Sequence, residues 1–208
     1  VGAEVDKIFS IFAVTFVLFV AGVRAHRMLS RSIVDATAVQ DLSRFVAHEV
    51  ADRITHSDKG IRPGDGEMRV GTVVFTDIEG FSTVSERLSP QELAETLNDY
   101  FEATCKIIDR HGGVITQFQG DLMLITFNAV TRDKDHAVND LKTAIGIREL
   151  TQKRKFRHGG KLPTRCGVNT GEIVIGAIGS NERLCFTVHG DQVNIAARLE
   201  QLNKDYGS

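Results

Sequence analysis

Asp77 and Asp121 are the residues of this chain whose settings best suit chemistry. Asp77 stands in Val73-Val74-Phe75-Thr76-Asp77-Ile78-Glu79-Gly80-Phe81-Ser82, and Asp121 in Gln117-Phe118-Gln119-Gly120-Asp121-Leu122-Met123-Leu124-Ile125. Each carboxylate lies at the edge of a short apolar run that reads as a buried strand, with a glycine nearby that lets backbone approach a ligand closely. Oxygen ligands of this kind suit hard cations, and the amides of Glu79, Gly80, Phe81 and Ser82 suit phosphate oxygens. One aspartate in a hairpin is usually a turn residue. Two at matched strand ends point to a shared cation.

Such a pair needs a sheet to bring it together, and the apolar periods supply one. Residues 69–76 read as a strand; Pro90, in a first-turn position, opens a helix carried by Leu93, Leu97, Tyr100, Phe101 and Ile108 and ended by His111-Gly112-Gly113. Residues 114–119 and 122–127 read as strands joined tightly at Gly120-Asp121. A second helix is expected over 135–153, with Ala137, Val138, Leu141, Ala144, Ile145 and Leu150 as its apolar set. Residues 164–169 and 172–178 read as another hairpin, Phe186 and Val188 as part of a short strand, and 193–202 as a helix. The order is that of a βαββαβ ferredoxin-like α/β (α+β) sandwich, in which a hairpin strand lies beside the first strand and Asp121 can meet Asp77.

The chain has 208 residues and a formal net charge of -2, enough for one globular domain with a sizeable core plus an additional segment. Near-neutral charge gives no support for nucleic-acid binding. Cys105, Cys166 and Cys185 lack any Cys-x-x-Cys or nearby histidine spacing and read as buried reduced thiols. Residues 8–23 run without a charge. As a helix they reach about 24 Å, close to a membrane span once flanking residues join it. Arg24, His26, Arg27 and Arg31 follow, so the positive-inside rule places the rest of the chain in the cytoplasm. A secretory signal peptide and a buried globular helix are the rival readings of this run. Residues 36–54 carry an apolar stripe on Val39, Leu42, Phe45, Val46, Val50 and Ile54, which suits either a two-helix connector or a helix packed on its own domain. Glycines and Pro63 mark 57–66 as a linker.

Four motifs together resemble the class III nucleotidyl cyclase catalytic domain over residues 67–202: Phe75-Thr76-Asp77-Ile78-Glu79-Gly80-Phe81, Gly120-Asp121, Gly167-Val168-Asn169-Thr170-Gly171, and the run from Gly190-Asp191-Gln192-Val193-Asn194 to Ala197-Arg198-Leu199-Glu200. The resemblance implies a head-to-tail homodimer with active sites at the subunit interface, converting a nucleoside triphosphate to its 3′,5′-cyclic monophosphate and pyrophosphate. It implies that Asp77, Asp121 and the Ile78 carbonyl hold two Mg²⁺ or Mn²⁺ ions. Asn194 and Arg198, from the other subunit, would orient the ribose and stabilise charge on the α-phosphate. The expected organisation is a membrane helix over 1–24, a connector and linker over 25–66, and a catalytic domain over 67–208 facing the cytoplasm from the inner cell membrane.

Base selection departs from the family pattern. The position that is lysine in many adenylyl cyclases is Gln117 here, and its partner position is Thr187. A glutamine amide can donate or accept, so it suits an adenine or a guanine edge. Thr187 resembles bacterial adenylyl cyclases, which favours ATP, with the Val188 backbone reading the adenine amino group. A guanylate or dual-specificity cyclase and a non-catalytic nucleotide-binding module are the alternatives. Family domains continue past the helix of Asn194 and Arg198 with a strand and a phosphate-binding lysine, so a C-terminally incomplete domain is expected here.

Overall fold

The computed structural model describes residues 46–55, 62–180 and 182–206, together with Phe16, Phe19, Gly22 and Arg24. The chain divides into two units, Val1–Val46 and Ala47–Ser208, and every element named below lies in the second. Within the apolar run 8–23 only Phe16, Phe19 and Gly22 are described, each in helical conformation. The rest of that run, and the amphipathic stretch before Val46, lie outside the described residues. Among the described residues no helix is long and apolar enough to cross a membrane. The end of the amphipathic stretch is a short helix, α1 (His48–Thr55), in which Val50 is buried. Its Glu49 approaches Asp109, whose carboxyl is raised first by burial and then by that neighbouring charge.

The remaining elements follow in the order β1 (Gly66–Ile78), α2 (Phe81–Arg87), α3 (Pro90–Arg110), β2 (Val114–Gln119), β3 (Leu122–Phe127), α4 (His136–Lys153), β4 (Thr164–Gly179), β5 (Leu184–His189) and α5 (Asp191–Tyr206). Among the described residues the strands form one sheet in the order β2-β3-β1-β4-β5, with every pairing antiparallel. The first four positions are the ferredoxin-like arrangement, and β5 extends it beyond β4. The sheet curls so that β2 and β5, at opposite ends of the pairing order, approach one another.

Alternation along β1 divides the core. Val74 and Ile78 face one way, into a cluster with Tyr100, Ala103 and Ile108 of α3, Met123, Ile125 and Phe127 of β3, and Ile147 of α4. Val73 and Phe75 face the other way, with Ile173 and Ile175 of β4 and Val193 and Ala196 of α5. The central strand is covered on both faces, which explains its nearly continuous apolar run. α3 starts where the sequence places it, because Ser89 and Glu92 form a reciprocal capping box ahead of Pro90.

Four expectations change, the smallest being that Cys185, expected to be buried, is exposed. Residues 164–178 are not a hairpin: β4 runs unbroken and pairs with β1 from Ile78↔Thr164 to Gly66↔Gly176. Thr170-Gly171 is extended there, opposite Gly71-Thr72. The Gly171 position is glycine because a Cβ would stand 2.7 Å from the Gln192 side chain of α5. α2 was not anticipated. The buried face of α4 is Asp140, Thr143, Ala144, Ile147 and Thr151, whereas Val138, Leu141 and Ile145 are about half exposed. The threonines turn inward because their hydroxyls are satisfied locally: Thr143 Oγ1 donates to the Asn139 carbonyl and also meets His111 Nδ1.

Candidate active site

The end of β1 and the β2–β3 turn converge. β3 runs beside β1 with Thr76 opposite Met123, which sets the turn residue Asp121 against the last residues of β1. The Ile78 amide donates to Asp121 Oδ2 at 3.1 Å, so the carboxylate is tied to the backbone one residue beyond Asp77. The Asp121 carboxyl is raised, first by burial and then by the charge of Asp77 beside it, against its own amide and that of Ile78, which lower it. Gly120 has φ 65°, a left-handed conformation suited to glycine, and it lets the chain reverse tightly before Asp121.

Asp77 has a second partner that the sequence reading missed. Its register partner on β4 is Arg165, whose guanidinium forms an ion pair with Asp77 through Nη2 and donates from Nε to Glu200 Oε1 of α5 at 2.9 Å. The Arg165 and Glu200 side chains are 9 % and 6 % exposed, and that of Asp77 23 %. Burial disfavours the guanidinium's charge, but its bonds to Glu200 and Asp77 outweigh that, so Arg165 is held more basic than an ordinary arginine. A cation at the start of a strand that enters the core was the available signal, because such a charge needs a carboxylate partner.

Two carboxylates pressed together, one of them already drawing a cation, fit a hard divalent ion. Among the described residues no group of three or more His, Cys, Asp or Glu gathers at one point. An ion at this place would rest on Asp77, Asp121, the Ile78 carbonyl and oxygens brought by a ligand. Directly after it, Gly80 takes φ 66° as the N-cap of α2, which turns the backbone of Gly80, Phe81 and Ser82 away from the strand direction.

The other predicted residues sit elsewhere in the protomer. α5 lies against β4 at Gly167, where a Cβ would come within 2.1 Å of the Ala196 carbonyl oxygen. Side-chain amides fasten both its ends: Asn169 Nδ2 donates to the Gln192 carbonyl at 3.0 Å, and Asn203 Nδ2 to the Cys166 carbonyl at 3.1 Å. Val193, Ala196 and Glu200 are its buried residues. Asn194 and Arg198, four apart, share the exposed side. At about 100° per residue Arg198 projects roughly 160° away from Glu200, hence away from the protomer's own Asp77. Gln117 is exposed on β2, whereas Thr187 and Val188 are buried on β5, the strand that approaches β2. The structure therefore joins Asp77, Ile78 and Asp121, leads from them into Gly80–Ser82, puts the base-reading candidates on β2 and β5, the two end strands that approach one another, and points Asn194 and Arg198 outward.

Known proteins share this fold. The family model "Adenylate and Guanylate cyclase catalytic domain" matches residues 67–206. Adenylate cyclase 1 of Rhizobium meliloti (strain 1021) is 40 % identical over 141 residues, covering 66 % of this chain and 21 % of that protein. The chain thus spans about a fifth of that relative's length. Among solved structures, the catalytic core of a rhodopsin-guanylyl cyclase with converted specificity, in complex with ATPalphaS, aligns with a TM-score of 0.63 at 29 % identity, covering 66 % of this chain and 75 % of that one. A bacterial light-regulated adenylyl cyclase aligns with a TM-score of 0.69 at 27 % identity, covering 85 % of this chain and 52 % of that one.

Proposed function

The chain belongs to the adenylate and guanylate cyclase catalytic domain family, and from that premise we propose that it is an adenylate cyclase converting ATP to 3′,5′-cyclic AMP and pyrophosphate. The observation that carries the reading is the convergence of Asp77 and Asp121 at the end of β1, beside the glycine turn into α2. Two divalent ions, Mg²⁺ or Mn²⁺, bound through these carboxylates and the Ile78 carbonyl would acidify the ribose 3′-hydroxyl and neutralise the β- and γ-phosphates.

The protein's own groups supply the rest. Amides of Gly80, Phe81 and Ser82 bind triphosphate oxygens. Asn194 orients the ribose, and Arg198 gives charge-assisted hydrogen bonds to the oxygens of the pentavalent phosphorus. Because Asn194 and Arg198 point away from their own Asp77, each site is completed by a second copy in a head-to-tail homodimer. Gln117, Thr187 and the Val188 backbone receive the base. ATP is favoured because Thr187 resembles the adenylyl cyclase residue, and the Rhizobium meliloti relative carries an adenylate cyclase name. The run 8–23 anchors the protein in the inner membrane with the catalytic domain in the cytoplasm, and 36–54 connects the two.

The test is a cyclase assay of the full-length protein with ATP and GTP side by side, in Mg²⁺ and in Mn²⁺. Cyclic AMP as the main product, absent in Asp77→Ala, is expected. A GTP preference moves the protein to the guanylate reading, and nucleotide binding without product moves it to a regulatory module.

A further inference from the structure

Tyr100 lies on the inner face of α3 with no exposure to solvent, and its ring is fixed edge-on by Phe101 at 5.4 Å and Phe156 at 5.5 Å. Its hydroxyl crosses the core to the start of β4, where it lies 3.0 Å from Thr164 Oγ1. Thr164 Oγ1 in turn donates to the Leu162 carbonyl at 3.1 Å. A hydroxyl has one proton to give, so Tyr100 is the donor in its bond to Thr164. Leu162 and Thr164 are both buried, and Pro163 between them has a ring-fixed φ. The segment Leu162-Pro163-Thr164 is therefore stiff, and Tyr100 anchors it.

That segment grips the backbone of the candidate metal site. The Pro163 carbonyl accepts from the Glu79 N–H at 2.8 Å. The Glu79 N–H belongs to the same peptide unit as the Ile78 carbonyl, and that peptide is trans, so the carbonyl points the opposite way, off β4. The Ile78 N–H points to Asp121, and in an extended strand the carbonyl of the same residue points to that side too. We propose that Tyr100 is a positioning residue for the metal site: through Thr164 and Pro163 it fixes the peptide between Ile78 and Glu79 and so keeps the Ile78 carbonyl aimed beside Asp121. The inference rests on the reading above, in which that carbonyl and the two aspartates bind divalent metal. A carboxylate can turn about its side-chain bonds to meet an ion, whereas a backbone carbonyl is aimed only by its peptide plane, so whatever holds that plane sets the strength of the ligand.

Tyr100→Phe removes one hydroxyl and keeps the ring. In the full-length protein without metal, hydrogen exchange in peptides spanning Glu79 should quicken about fivefold, while peptides from α4 and α5 keep their rates. Binding of 3′-deoxy-ATP, which cannot cyclise, is then followed by equilibrium dialysis across a Mn²⁺ titration. The Mn²⁺ concentration at half-saturation should rise about fivefold in Tyr100→Phe. Thr164→Val should reproduce both changes, and Thr164→Ser, which keeps the hydroxyl, should stay near the wild type. Should Tyr100→Phe fail to fold, the two Thr164 variants carry the same comparison. Unchanged exchange at Glu79 overturns the proposal. Faster exchange with an unmoved Mn²⁺ midpoint also overturns it, and leaves the metal reading standing if Asp77→Ala abolishes Mn²⁺-dependent binding. A wild type that binds the nucleotide equally well without Mn²⁺ overturns the metal reading and the role of Tyr100 together.

Discussion

Asp121 and Asp140 are both withdrawn from water and both raised above an ordinary aspartate, yet their surroundings are opposite. Asp121 has an amide donor from Ile78 and a second carboxylate within reach of Arg165, at a turn where a ligand can enter. Asp140, on the inner face of α4, is fully buried, and neither of its carboxyl oxygens has a hydrogen-bond partner. Burial pushes it up to about 7. Its charge also contributes to raising the Cys166 thiol across β4, where burial is the larger cause. Burial alone therefore does not make a site. Converging partners of the right charge do, and a lone buried carboxylate makes stability depend on pH.

The largest test of this contrast removes the converging pair. Asp77→Ala should lower turnover by about 1,000-fold or more while the fold survives, since the lost group acts on charge that develops in the reaction. A cyclase assay beside a circular dichroism melt separates the two effects. Arg165→Ala converts Glu200 into a second Asp140, buried and without its cation. That variant should lose about 3 kcal/mol of stability by urea unfolding at neutral pH, because an unpaired buried charge is left behind. Asp140→Asn should act least and differently. The folded carboxyl of Asp140 is raised, so its ionisation penalty is absent below the unfolded value, grows as pH rises, and is complete above about 7. The wild type should therefore lose about 2 kcal/mol more stability than Asp140→Asn between pH 5 and pH 8, with kcat in both within about twofold. Equal pH slopes for the two proteins would mean that Asp140 is neutralised by a partner.

Much of this contrast was legible in the chain, and the limits have physical causes. The β2–β3 hairpin was readable because Gly120-Asp121 is turn chemistry between two apolar runs, and Asp77 was placed correctly because β1 is apolar up to it. Thr170-Gly171 carries the same local turn signal but is overruled by thirteen residues of pairing with β1, a long-range interaction that local chemistry does not report. The Arg165–Glu200 contact joins residues 35 apart. Its only trace was a charge in a buried strand. On α4 Ala144 and Leu150 of the expected apolar set face the core, but Val138, Leu141 and Ile145 do not, because threonines that bond back to their own helix can line a core as well as aliphatic residues do. Asp140 sits on that unexpected face.

The central claim is that the two aspartates are half of a site whose other half, Asn194, Arg198, Gln117 and Thr187, comes from a second copy. Co-assembly of Asp77→Ala and Arg198→Ala chains, each inactive alone, tests it most directly. Random pairing makes half of the dimers hybrid, each with one intact site of two, so about a quarter of wild-type cyclase activity should return. Activity no higher than that of either variant alone would contradict the account.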